Sequence, residues 1–93
     1  MSKILKFKVD DEVEFPVRSK ILKVQERNGV MYAWALVDGD EAVTATRRFL
    51  IVGTGHEFNR RGWDYLTTIH DDLSTWHVFT QWADEEDCKH GLM

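Results

Sequence analysis

The sequence predicts an all-β domain, a small antiparallel β-sandwich or barrel-like sheet of about six to seven strands with a short, frayed acidic C-terminal tail. Three observations carry that expectation. Apolar-rich runs return at intervals of about 8–12 residues, with turn residues between them. No stretch of about ten residues or more places its apolar positions at helical spacing. Between two of the runs stands Asn28-Gly29. That dipeptide is the strongest short-range hairpin signal, because both central residues of the tight turn must take positive φ.

Residues 3–9 alternate, with Ile4, Lys6 and Lys8 on one face and Leu5, Phe7 and Val9 on the other. Alternation of this kind marks a half-buried strand. Asp10-Asp11 turns the chain into a short second strand, Val13-Glu14-Phe15. Pro16 has no N–H to donate, so that strand ends there or lies at a sheet edge. Residues 21–27 and 30–37 are the arms of the Asn28-Gly29 hairpin. In the second arm Met31, Ala33, Ala35 and Val37 share one face, and Tyr32, Trp34 and Leu36 share the other. Apolar groups on both faces predict a central strand covered on each side. Asp38-Gly39-Asp40-Glu41 reads as a polar turn and residues 42–45 as a connector. Residues 46–52 form a buried strand that empties into Gly53-Thr54-Gly55-His56, and residues 53–62 form a loop rich in glycine and charge. Two further strands, residues 63–70 and 74–82, flank Asp71-Asp72-Leu73 as a second hairpin.

Ninety-three residues make one domain, which we place at residues 1–82, with residues 83–93 as an acidic flexible tail. No run approaches the roughly 20 apolar residues that span a membrane. Lys3, Lys6 and Lys8 interrupt any secretory apolar core. Cys88 stands alone and forms no internal disulfide, which fits a reducing, cytoplasmic setting. The formal charge is −4, and Asp84, Glu85, Glu86 and Asp87 hold much of it. The remaining body is close to neutral, which argues against a nucleic-acid partner.

The turn at residues 53–56 is the first candidate site. Glycines let successive backbone N–H groups converge on one point, a nest that binds anions. Thr54 and His56 add donors, and Arg47 or Arg48 would reach a phosphate or carboxylate bidentately. Adjacent strand residues point to opposite faces, so at most one of the two arginines serves a given site. The competing reading is purely structural, with glycines permitting positive φ at a strand exit. The turn is neither a Walker A nor a Rossmann motif, since the lysine and following helix are missing. His56, His70, His77, His90 and Cys88 lack zinc-ligand spacing, although His70 and His77 stand in facing arms of the second hairpin. No nucleophile, base or carboxylate pair forms a legible catalytic set, and no cofactor is implied. The aromatics suggest a different route. Tryptophan, tyrosine and arginine are enriched at binding hot spots. Trp63 beside Arg60 and Arg61, and Trp82 at the end of the last strand, are the expected exposed members of an interaction surface. An exposed β edge would also pair two copies of the chain or a partner strand.

Lys20-Ile21-Leu22-Lys23-Val24-Gln25, Trp34-Ala35-Leu36-Val37-Asp38, Arg47-Arg48-Phe49, Val52-Gly53-Thr54-Gly55-His56 and Trp76-His77-Val78-Phe79 stand in this order along the chain, after Pro16. Together these segments resemble a family of small uncharacterised proteins encoded by phages and in bacterial genomes. The resemblance spans most of residues 3–80 and implies a phage or prophage origin and a compact β domain. It supplies no activity, and the segment from Ala83 onward has no counterpart in it. The leading expectation is a non-catalytic binding protein that occupies a host or phage protein, with a homo-oligomer as a further option. The alternative is a small-anion or nucleotide-binding protein that sequesters its ligand at residues 53–56 and the nearby arginines.

Overall fold

The computed structural model describes residues 1–40, 42–71 and 73–83. Among them seven strands run as β1 (Ser2–Lys8), β2 (Glu12–Pro16), β3 (Lys20–Arg27), β4 (Val30–Asp38), β5 (Thr44–Gly53), β6 (Asp64–His70) and β7 (Thr75–Trp82). All pairings are antiparallel. They form a three-stranded sheet in the order β1-β4-β3 and a four-stranded sheet in the order β2-β5-β7-β6. The expected all-β class therefore holds. The acidic run at residues 84–87 lies outside the described residues. Ala83, which the sequence reading assigns to the tail, is 4% exposed.

The β3–β4 hairpin closes where the dipeptide demands it. Asn28 and Gly29 take φ of 53° and 82°, and Arg27 pairs with Val30 across the turn. Both central residues in the left-handed region match the right-handed twist of the strands. Glu26 reinforces the turn by accepting a hydrogen bond from the Gly29 N–H. β2 is an edge strand and ends at Pro16, as the missing donor requires. β5 starts at Thr44, within the expected connector, because Thr44 and Ala45 pair with Pro16 and Phe15.

The two sheets meet through aromatic rings. Phe7 of β1 stacks on Phe15 of β2 at 4.1 Å between centroids, and Phe15 tilts against Phe49 of β5 at 5.9 Å. Phe15, Ala33, Ala35 and Val78 are fully buried in the same cluster, which also holds Val24, Val37 and Phe49. One polar side chain is buried with them. The Thr80 hydroxyl donates to the Arg48 carbonyl at 2.9 Å and accepts from Arg47 Nε at 3.0 Å, so its burial leaves nothing unpaired.

β4 is central in its sheet, but it is not covered on both faces. Ala33, Ala35 and Val37 are buried, whereas Tyr32 and Trp34 on the opposite face are half-buried and Leu36 is exposed. Seven short strands supply only two layers, so each sheet keeps one solvated face. Phe15→Ala should cost about 3–5 kcal/mol, the range for emptying a buried phenylalanine site. Urea unfolding followed by tryptophan fluorescence measures it.

Candidate functional site

The strand exit at Gly53 is a closed turn. His56 N–H donates to the Gly53 carbonyl at 3.1 Å, and Gly55 takes φ of 91°. A positive φ at the third position defines a type II turn and selects glycine there. Gly53 is glycine for a different reason. A Cβ at this position would stand 3.2 Å from two atoms of the His56 ring and 3.3 Å from the Trp76 ring. The turn also docks on its neighbour, with Thr54 N–H donating to the Thr75 carbonyl at 3.3 Å. The N–H groups of Thr54 and His56 are thus spent on protein carbonyls. An anion nest needs them free and convergent.

A cleft of about 510 Å³ opens between this turn and the β6–β7 hairpin, lined by Thr54, His56, Asp71, Ser74 and Trp76 among others. The Asp71 carboxylate organises its far wall. It accepts from Leu73 N–H at 2.9 Å, Ser74 N–H at 2.6 Å and Trp76 Nε1 at 3.1 Å. The Leu73 bond first, then those from Trp76 and Ser74, hold the carboxyl below its usual range. Beside the cleft, His77 is the hub of a polar chain that sequence reasoning missed. Its Nε2 meets Thr54 Oγ1 at 2.8 Å and its Nδ1 meets Thr68 Oγ1 at 3.1 Å, with Tyr65 OH 2.6 Å from Thr68. The signal for it is the register, since His77 pairs with Thr68 and His70 with Thr75. His70 and His77 are therefore not cross-strand partners. Among the described residues no group of three or more His, Cys, Asp or Glu side chains is placed to hold a metal ion.

The arginines do not belong to this cleft. Arg47 and Arg48 pair with Trp82 and Gln81 at one end of β5, and Gly53 pairs with Trp76 at the other. Six residues of extended chain separate Arg47 from Gly53, about 20 Å at 3.3–3.4 Å per residue. Arg47 instead lies over the Trp82 ring, its Cζ 4.5 Å from the centroid. Burial lowers its pKa from the ordinary value, and the Asp64 carboxylate partly opposes that shift. A guanidinium still keeps its charge there. Trp82 consequently packs on the core rather than standing exposed. Arg48 turns to the other face and donates to Glu12 at 3.2 Å.

A second candidate lies along β5 itself. β2 pairs with β5 only from Thr44 to Arg48, and the Phe49 N–H then donates to the Asp11 carbonyl at 3.1 Å. Past that point β7 continues to pair residues 50–53 on one side, while no described strand pairs them on the other. Because alternate residues of an antiparallel strand aim their backbone groups the same way, Ile51 presents its N–H and C=O to the open side. Its side chain is 41% exposed. Concave space of about 320 Å³ lies there, lined by Val9, Asp10, Asp11, Leu50 and Ile51 among others. A contiguous hollow of about 600 Å³ is completed by Glu12, Arg48 and Trp63. Trp63 is thus half-exposed on a concave surface, held by its N–H to the Arg60 carbonyl at 2.9 Å. Arg60 and Arg61 are exposed in the loop before it. That loop folds back over its own sheet, with Phe58 4.9 Å from Phe79.

Residues 1–89 match the model of a domain of unknown function, DUF7352. No curated protein and no solved structure matches the chain.

Gly53→Ala should destabilise the fold by about 1–2 kcal/mol through overpacking against His56. Adding His56→Ala should recover about half of that loss in a double-mutant cycle of urea midpoints. Asp71→Asn should be less stable than wild type at neutral pH. Because the folded-state carboxyl pKa is lowered, Asp71 contributes stability above its unfolded value of about 3.9, lost as pH falls through the folded value. The gap between wild type and variant should therefore close below about pH 4 in a pH series of unfolding curves.

Proposed function

The chain belongs to the DUF7352 family, and we propose that it is a non-catalytic binding module that takes an extended segment of a partner protein onto the open half-edge of β5. The observation that carries this reading is the stretch at residues 50–53, which β7 pairs on one side and no described strand pairs on the other, flanked by concave surface. Strand addition at such an edge supplies affinity through backbone hydrogen bonds, and pockets for alternate side chains supply specificity. Asp10 and Asp11 border the edge and Trp63 lies in the adjoining hollow. The segment that fits is extended, with a basic residue toward the two aspartates and an apolar one toward Trp63. The sequence resemblance supports a phage or prophage origin, so the partner is a host or phage protein met in the host cytoplasm.

Small-ligand sequestration is the second reading, favoured by the cleft that Thr54 and His56 line. Its chemistry there differs from the anion site expected from sequence. Asp71 contributes a carboxylate and no arginine reaches the cleft, so a neutral or cationic ligand suits it better than a phosphate.

Partner capture from host lysate separates the two readings. The wild-type chain should retain a protein that Ile51→Pro loses, because proline deletes the N–H facing the open side while β7 pairing through Leu50 and Val52 persists. Asp10→Lys with Asp11→Lys should weaken the same complex by about tenfold or more, as loss of a charge pair at a rim does. Retention of the partner by both variants would refute strand addition. Native mass spectrometry that finds a small molecule on wild type, lost in Trp76→Ala, would transfer the function to the cleft.

A further inference from the structure

The outward face of the β1-β4-β3 sheet has a charge pattern that the whole-chain balance conceals. Alternation and register put Lys6 and Lys8 of β1, and Lys20, Lys23 and Arg27 of β3, on the side away from the core. All five are exposed. Between them stand Tyr32 and Trp34 of β4, half-buried, with ring centroids 6.4 Å apart. Lys6 Nζ lies 4.8 Å from the Tyr32 centroid and Arg27 Cζ 5.5 Å from that of Trp34. The acidic residue sharing this parity, Asp38, sits at the far corner, where the Met1 amino group lies 3.8 Å from it. Glu26 has the opposite parity, and its carboxylate is engaged by the Gly29 N–H. Five of the chain's twelve Lys and Arg residues therefore surround two aromatic rings on one face of the sheet.

We infer that this face binds single-stranded nucleic acid without strong sequence preference. A sheet surface with adjacent aromatic rings gives stacking platforms for successive bases, and flanking cations track the phosphates. Lys6 and Arg27 lie over the rings at the edges of the platform. Both side chains are long and exposed, so they move from ring to phosphate, or sandwich a base, at little cost. An acidic peptide would satisfy the cations but has no use for two neighbouring ring faces. The site lies on the other sheet from the β5 edge, so it stands or falls independently of strand addition.

The test is fluorescence anisotropy of the full-length chain with a labelled oligothymidylate of about 12 nucleotides, within the span one small domain covers. Binding should be micromolar at low salt and weaken roughly 50-fold between about 50 and 200 mM salt, as expected for neutralising about four phosphates on a single strand. Tryptophan fluorescence should be quenched on binding. Lys6→Glu with Lys23→Glu should lose at least about tenfold in affinity, the scale of removing phosphate contacts. Trp34→Leu should lose about tenfold through lost stacking. Tyr32→Leu gives the same readout if Trp34→Leu fails to fold. Absence of binding up to about 100 μM at low salt, the weak end of non-specific affinity, would overturn the proposal. So would equal affinity for polyglutamate or for a peptide copying residues 83–90, with no loss in the aromatic variants. That outcome would assign the face to an acidic protein segment.

Discussion

The Phe7–Phe15–Phe49 contact is what the rest of the molecule depends on. Residues 7 and 15 sit on consecutive strands that enter different sheets, and their rings stack across the gap. A chain of this length buries only about two-thirds of its unfolded surface, so a few large side chains must hold the layers together. The remaining core is light, with Ala33 and Ala35 where β4 crosses it. Small residues on the central strand let the opposite sheet approach closely. The same choice limits the area that holds the sheets together, and it leaves the aromatic rings of β4 on the outer face. The stacking of Phe7 on Phe15 therefore also sets where Tyr32 and Trp34 are displayed.

Most of the fold was legible because its signals are local. The Asn28-Gly29 turn, Pro16 at the end of β2 and the alternation in β1 each depend on neighbours in sequence, and each appears where the residues require. The start of β5 was not legible. Thr44 and Ala45 have no strong strand signal of their own and become strand by pairing with Pro16 and Phe15. The second layer expected over Tyr32 and Trp34 also failed to appear. An apolar face on a central strand reads the same in one sequence whether another layer or solvent lies over it.

The candidate site was harder for a geometric reason. Arg47, Arg48 and residues 53–56 lie within ten residues of one another, and sequence proximity suggested one constellation. In an extended strand that proximity becomes a separation of about 20 Å, with alternate side chains on opposite faces. Arg47 then finds Trp82, Arg48 finds Glu12, and the glycine turn finds His56 and Trp76. Both glycines of the turn have a stereochemical reason to be glycine, so that pattern needs no ligand to explain it. The half-edge of β5 had no signature at all, because it arises from a mismatch in length. β2 is five residues long and β5 is ten.

Charge behaves like register in this respect. A formal −4 with acidic residues in excess argues against a polyanion partner when the chain is treated as one average. Strand alternation sorts those charges by face. β1 and β3 carry Lys6, Lys8, Lys20 and Lys23 at the parity that points outward and keep Phe7, Val24 and Ile21 at the parity that points in, with Lys3 the exception at the end of β1. Among the described residues, Asp10 and Asp11 lie at the β1–β2 turn and Asp71 at the β6–β7 turn, while Asp38 holds only the far corner of this face. A phosphate chain senses potential within a Debye length of about 8–10 Å, not the net charge of the molecule. On the outward face of the β1-β4-β3 sheet five exposed cations stand around the aromatic pair.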